Sequence, residues 1–291
     1  YDNGLTIGDG KGRLWMLNAS DGTVIKSFKT SQGTAGGAEA GLAHVAAFRE
    51  SDGLVKYAYG GDLLGNIWRF DLTAAAGTDI AADRIAVLKD GSGNLQPVTS
   101  VPELVMISGK RVVLVGTGRI LDIGDFGSTR TQTFYAIADG ALIDSARGSL
   151  VLRTYTRGNN PEVTGDALDW ATQRGWYMDI PAGEQINTDA IVAYGAVAFV
   201  SNKQGSTDCS QQSYMYLVNV TTGKAVTGAA DGAASQLLSN NATSSRVVVL
   251  RDSTGTLHGT VQLSDRAIKK TVLPLGTTIP PTKNAWREIR R

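Results

Sequence analysis

The sequence predicts an all-β protein organised as a β-propeller, on three observations. Apolar residues fall in short runs of roughly four to eight, bounded by Gly, Asp, Asn and Ser, with little helical periodicity. Asp-Gly dipeptides punctuate the runs at Asp21-Gly22, Asp52-Gly53, Asp90-Gly91 and Asp139-Gly140. Such pairs tolerate the positive φ of a tight reversal. Finally, a strand-like segment with an aromatic residue, a polar Asn or Asp and a Gly turn recurs along the chain. Aligned on Trp15, Trp68, Tyr135 and Tyr216, its steps are 53, 67 and 81 residues. Blades of four strands need about 40–50 residues, so the later steps imply insertions. Stacked sheets cover faces that one small sheet leaves open, which is the physical case for the propeller.

In chain order, the first strands are Leu14–Leu17 and the segment ending near Lys29, the close of one blade. A second blade is expected over about 40–90, with Tyr57–Tyr59, Ile67–Leu72 and Ile85–Leu88. A third covers about 95–140 through Val112–Val115 and Thr133–Ile137. A fourth covers about 148–228 through Leu150–Thr154, Gly175–Ile180, Ile191–Val200 and Tyr214–Val220. A last strand pair falls in 245–273, within which Arg246–Arg251 is the clearest run. This gives four to five blades of short antiparallel four-stranded sheet, as part of a larger, about seven-bladed ring. The polar stretches 155–175 and Asn202–Gln212 read as insertion loops. Residues 1–273 form the blades. Residues 274–291 turn Pro-rich and basic and read as a tail packed on the propeller, anchored by Trp286.

Composition excludes several function classes. Gly is 35 of 291 residues, about 12% against a usual 7%, which suits a turn-rich fold. Charged residues are 19%, and 28 basic against 27 acidic residues leave a net charge of +1. Nucleic-acid binding and polybasic membrane association need a clear basic excess. Two His and one Cys exclude Cys/His zinc sites and an internal disulfide framework. Cys209 is a lone thiol, or half of a disulfide to a segment outside this chain. The longest apolar stretch, Ala190–Val200, is too short for a transmembrane helix and reads as a buried strand.

Motifs for catalysis are absent. Gly8, Gly10 and Gly12 are followed by a strand rather than a helix, so they read as a turn and not as a dinucleotide fingerprint. Gly116 and Gly118 read the same way. There is no phosphate loop and no G-x-S-x-G elbow. His44 and His258 read as structural or surface residues, and no carboxylate pair forms a dyad.

One stretch is more specific. Tyr57-Ala-Tyr-Gly-Gly61-Asp62-Leu63-Leu-Gly65-Asn66-Ile-Trp68-Arg-Phe70-Asp71-Leu72 closely resembles the signature of the PilC/PilY family of type IV pilus tip adhesins and biogenesis factors. Leu114–Leu121 with Gln132–Tyr135 resembles the family's next blade, and Ala285–Arg290 resembles its C-terminal ending. The resemblance covers essentially the whole chain. It implies the later part of the family's C-terminal propeller, without its first blades or the N-terminal half.

Many members carry a calcium loop, D-x-[DN]-x-D-G-x-x-D, just before this signature. Here its positions fall on Phe48, Glu50, Asp52, Gly53 and Lys56. Ca²⁺ takes six to eight oxygen ligands, and neither Phe48 nor Lys56 supplies one. No metal and no cofactor is therefore expected. The Lys56 ammonium is a candidate replacement for the ion, paired with Asp52 or Glu50.

The resemblance implies a non-enzymatic module for adhesion and for pilus assembly or twitching motility. It would be exported through the periplasm to the pilus tip or outer cell surface. The implied partners are minor pilins or a tip complex, the N-terminal half of the same protein, and a host-surface ligand. Two alternatives stand beside it. A quinone-cofactor propeller dehydrogenase shares the repeat pattern, although one Cys forbids the vicinal pair such enzymes use. A carbohydrate-binding propeller would stack sugars on Trp170 or Trp176.

Overall fold

The computed structural model describes residues 8–50, 52–158, 161–205, 210–226 and 234–275. Those residues are strand-rich, with only one α-helical turn, at Ala146–Ser149. The first strands, β1 (Arg13–Leu17) and β2 (Val24–Lys29), form a hairpin around Asp21-Gly22, where Gly22 has φ +74°. A second sheet follows from β3 (Val45–Arg49), β4 (Val55–Gly61) and β5 (Asn66–Asp71). The chain then lends β6 (Ile80–Ala81) back to β2 in parallel, and β7 (Asp83–Val87) completes the order β3-β4-β5-β7.

The third sheet is built on β8 (Glu103–Ile107), β9 (Lys110–Gly116) and β10 (Thr133–Ala138), and its remaining strands lie far along the chain. They are β11 (Val151–Thr156), β12 (Glu162–Thr164) and β13 (Gly175–Asp179), giving the order β12-β11-β13-β10-β9-β8. A fourth sheet holds β14 (Ile191–Ala193), β15 (Ala196–Gln204), β16 (Gln211–Asn219) and β17 (Ser235–Ser239). The last holds β18 (Val248–Arg251), β19 (Leu257–Gln262) and β20 (Ile268–Val272).

The aromatic repeat marks equivalent positions. Trp68, Tyr135 and Tyr216 lie on β5, β10 and β16, each the third strand of its sheet, and all three are fully buried. Trp15 on β1 is half exposed. The central strands read as continuous apolar runs because both faces of their sheets are covered.

Four inter-sheet cores follow one another along the chain. Phe28 packs on Trp68 and Phe70 between the first two sheets. Tyr59 and Ile67 meet Val113, Val115 and Tyr135 between the second and third. Phe134, Trp176, Phe199 and Tyr216 fill the next interface, where Phe134 and Phe199 stack at 4.2 Å between ring centres. Val200 and Met215 meet Val247, Leu257 and Val261 at the last. Burying each such side chain contributes roughly 1.5–3 kcal/mol. The two end sheets each keep an apolar outer surface: Trp15 and Leu17 on one, Val248, Leu250, Ile268 and Val272 on the other.

Several expectations need correcting. The segment 148–228 is not one blade. β11–β13 join the third sheet and β14–β16 belong to the fourth, because the apolar faces of Trp176 and Met178 register on Phe134 and Ala136. The sheets have three, four, six, four and three strands among the described residues, and the pairings β2–β6 and β11–β13 are parallel. The blades are thus not uniformly four-stranded and antiparallel. Asp139-Gly140 reverses no hairpin: β10 pairs with β9 and β13, and the chain leaves toward the helical turn at 146–149.

Asn202–Gln212 is not an insertion loop. The β15–β16 ladder continues to Gln204↔Gln211, its polar residues pairing through the backbone. Within 155–175, Tyr155 and Thr156 end β11, and Glu162–Thr164 form β12. Residues 276–291, including Trp286, and Cys209 lie outside the described residues.

Candidate functional site

The β3–β4 hairpin brings the loop 48–56 and the start of the signature against the third sheet. Phe48 faces Tyr57 across the ladder, and a bulge follows it before Arg49. Its ring is 9% exposed and belongs to the core between the second and third sheets. Gly53 sits at φ +84°, and its N–H donates to the Glu50 carbonyl at 3.0 Å.

Asp52 is used twice. Oδ1 accepts from the Leu54 N–H at 2.9 Å, and Oδ2 lies 3.1 Å from the Lys56 ammonium. The Leu54 N–H first, and Lys56 second, hold its carboxyl below the ordinary aspartate value. Glu50 turns the other way and accepts from Arg111 Nη1 at 3.1 Å. Each remaining acidic position of the loop thus already holds a cation of the chain, and the two positions without an acid are a core ring and an ammonium. This donor set does not suit Ca²⁺, which needs several oxygens converging on one point. Among the described residues no group of three or more His, Cys, Asp or Glu side chains could hold a metal ion.

Arg111 belongs to a wider network. Its guanidinium lies over the Tyr57 ring at 4.4 Å, and its Nε donates to Asp139 Oδ2 at 3.3 Å. Asp139 also accepts from the Tyr59 hydroxyl at 2.9 Å and from Arg69 Nη1 at 2.9 Å. Arg69 holds Asp83 at 2.8 Å. Burial first, and the Asp139 charge second, push the Tyr59 hydroxyl well above the ordinary tyrosine value. The residue read as a turn is therefore the buried acceptor that ties β4, β5 and β9 together.

The signature residues are mostly structural. Asp62 is fully buried and accepts from the Leu64 and Asn66 N–H groups, the Asn66 side chain and Trp68 Nε1, the last at 2.7 Å. Burial pushes its carboxyl up, against the pull of these donors. Gly65 takes φ +75°, and a Cβ there would meet the Leu88 carbonyl oxygen at 2.7 Å. A Cβ at Gly61 would meet Val98 at 2.3 Å. Leu63 donates its N–H to the Ala40 carbonyl, Phe70 meets Phe28 edge-on at 5.9 Å, and Asp71 caps the turn at Thr73.

The same turn recurs at Asp90 with Asn94 and at Asp252 with Thr256. The sequence carries it as D-x-x-G-x-[LI], at Asp62-Gly65-Ile67, Asp90-Gly93-Leu95 and Asp252-Gly255-Leu257. That recurrence was the legible signal for these turns. Asp139 lies in an Asp-Gly pair and Arg69 in the Tyr57–Leu72 stretch, but no local pattern marks them or Arg111 as converging.

Both tryptophans considered for sugar stacking are enclosed. Trp170 is 5% exposed, its Nε1 donating to the Thr221 carbonyl, and Trp176 is fully buried with Nε1 on the Val220 carbonyl. Neither offers a face to a ligand. His44 is exposed, and His258 is buried beside Asp252 at 2.7 Å. A second brace joins the third and fourth sheets: Glu184 accepts from Arg157 at 2.5 Å and from the Tyr216 hydroxyl at 2.7 Å.

Stacked small sheets, their aromatic third strands and the Asp62 turn define a β-propeller module. Residues 2–172 match the family model described as the PilY1 beta-propeller domain, and the chain belongs to that family. Among curated relatives, a type IV pilus biogenesis factor PilY1 homolog of Xylella fastidiosa is 27% identical over 266 residues, covering 78% of this chain and 18% of the relative. The type IV pilus biogenesis factor PilY1 of Pseudomonas aeruginosa is 28% identical over 254 residues, covering 68% and 21% respectively. The chain thus spans about a fifth of these relatives. The crystal structure of the Pseudomonas aeruginosa PilY1 C-terminal domain superposes with TM-score 0.69 at 20% identity, over 91% of this chain and 67% of that one. At that identity the likeness bears on the fold.

Proposed function

We propose that this chain is the propeller module of a type IV pilus biogenesis factor and acts without catalysis, by presenting rigid surfaces to pilus components. The observation that carries this reading is the family match over residues 2–172, which includes the Asp62–Trp68 turn and the Asp139 network. The Asp139 network fixes the second sheet on the third, and the Asp62 turn holds Trp68 in the core shared with the first sheet. The partners are minor pilins or a tip complex, the rest of a longer chain, and for adhesion a host-surface ligand. The place of action is the pilus tip or outer cell surface, reached through the periplasm, with a role in twitching motility.

The module works without Ca²⁺ in its 48–56 loop. Lys56 and Arg111 occupy the acidic side chains that a calcium loop would free for the ion.

Immunogold electron microscopy on piliated producing cells tests the main reading, together with pilus counts after in-frame deletion of this module. Tip label and loss of surface pili are expected. Label confined to the periplasm, with normal pili in the deletion strain, would overturn it.

A further inference from the structure

A cavity of about 370 Å³ opens between the first sheet's loop at Gln32 and the second sheet beside the signature turn. That volume is in the range of small-ligand sites, roughly 300–1,000 Å³. The buried Asn66 lines it, and Leu64 and Leu95 add apolar surface. Arg84, Lys89 and Asp144 bring charge to the same space.

These charges are unspent, which sets them apart from their neighbours. Every other Arg and Lys between residues 45 and 180 holds a carboxylate or a backbone carbonyl. Arg49, Lys110, Arg153 and Arg174 bind carbonyls. Lys56, Arg69, Arg111, Arg119, Arg130, Arg147 and Arg157 pair with acids. Arg84 has only one long hydrogen bond, 3.4 Å to Asn66 Oδ1. The Lys89 ammonium and the Asp144 carboxylate have no hydrogen-bond or ion-pair partner among the described residues. Two cations without a carboxylate partner and one carboxylate without a cation thus line one concavity among the described residues.

We propose that this cavity binds an α-carboxylate that carries an apolar side chain and a neighbouring N–H donor. The carboxylate is held by Arg84 and Lys89, since charge-assisted hydrogen bonds of this kind are the strong ones. The N–H group faces Asp144, and the side chain lies against Leu64 and Leu95. Two sources share this chemistry: a free apolar amino acid, and the C-terminal residue of a peptide or partner chain.

Titration calorimetry on the 291-residue chain, with nuclear magnetic resonance for weak binding, tests this with three probes: the tripeptide Ala-Ala-Leu, its C-terminal amide, and free leucine. The acid tripeptide should bind saturably and the amide about tenfold or more weaker, the effect of losing one charged hydrogen-bonding group. Lys89→Gln, and separately Arg84→Gln, should each weaken the acid probe by a similar factor with an unchanged melting temperature. Free leucine binding as tightly as the tripeptide assigns the free amino acid, and Asp144→Asn then weakens leucine more than the tripeptide. Binding of the tripeptide alone assigns a chain terminus. Equal binding of acid and amide, no saturation by any probe, or variants that bind like the parent would overturn the proposal.

Discussion

The Tyr59 hydroxyl donates to the Asp139 carboxylate at 2.9 Å, across 80 residues of sequence and across the boundary between two sheets. Tyr59 lies on β4 and Asp139 follows β10, so this bond and the two arginines around it lock the second sheet's orientation on the third. Rigid docking of sheets is what a propeller needs in order to present fixed surfaces.

Tyr59→Phe should therefore cost about 1.5–3 kcal/mol, because it removes the bond to the buried Asp139 charge and the Arg111 Nε bond to the same hydroxyl. Asp139→Ala should cost about 1–3 kcal/mol, since it unpairs the buried Tyr59 hydroxyl and takes one of two acids from each arginine, Arg69 keeping Asp83 and Arg111 keeping Glu50. Urea denaturation of both single variants and the double variant should give a coupling energy of about 0.5–3 kcal/mol. Simple additivity would mean the bond does not act as drawn.

The Asp62 turn makes a sharper test of backbone geometry. Gly65→Ala places a Cβ against two carbonyl oxygens, Leu88 at 2.7 Å and Gln96 at 2.8 Å, at a positive φ. The expected loss is about 1–3 kcal/mol. Trp68→Phe keeps most of the ring in the core and removes the Nε1 donor, for a loss of about 1.5–3 kcal/mol. Thermal melts of each variant check both values.

Calcium should leave this chain's melting temperature unchanged between chelator and millimolar Ca²⁺. A site with a dissociation constant near 10 μM would add about 2.7 kcal/mol at 1 mM ion. A clear upward shift, abolished by Asp52→Ala, would show that the 48–56 loop takes the ion despite Lys56.

The last sheet should weaken in acid. Thr254 first, and His258 second, hold the Asp252 carboxyl well below its ordinary value of 3.8. A depressed folded-state value means the stabilisation is complete above about pH 4 and is lost as pH falls below it. Amide exchange in Leu257–Gln262 should therefore accelerate as pH falls from about 4 towards about 2, beyond the intrinsic rate change. Asp252→Asn should flatten that difference.

What the sequence by itself determined is local. Short apolar runs with Gly-rich turns specified strands, because burial on both faces selects continuous apolar segments. The aromatics Trp68, Tyr135 and Tyr216 on the third strands of the three middle sheets, with Trp15 on β1, carried the repeat, and the stretch Tyr57–Leu72 carried the family. The mismatch at Phe48 and Lys56 was visible because ligand chemistry depends on residue type alone.

The tertiary structure decided what depends on contacts between distant segments. Nothing near Asp139 in the chain announces that Tyr59, Arg69 and Arg111 converge on it. The return of β11–β13 to the third sheet follows from which apolar faces fit together, and local periodicity does not encode that fit. Likewise Trp170 reads as a loop residue until the 219–223 turn closes over it. Arg84, Lys89 and Asp144 share one cavity only because folding brings them together, and it gives them no oppositely charged partner.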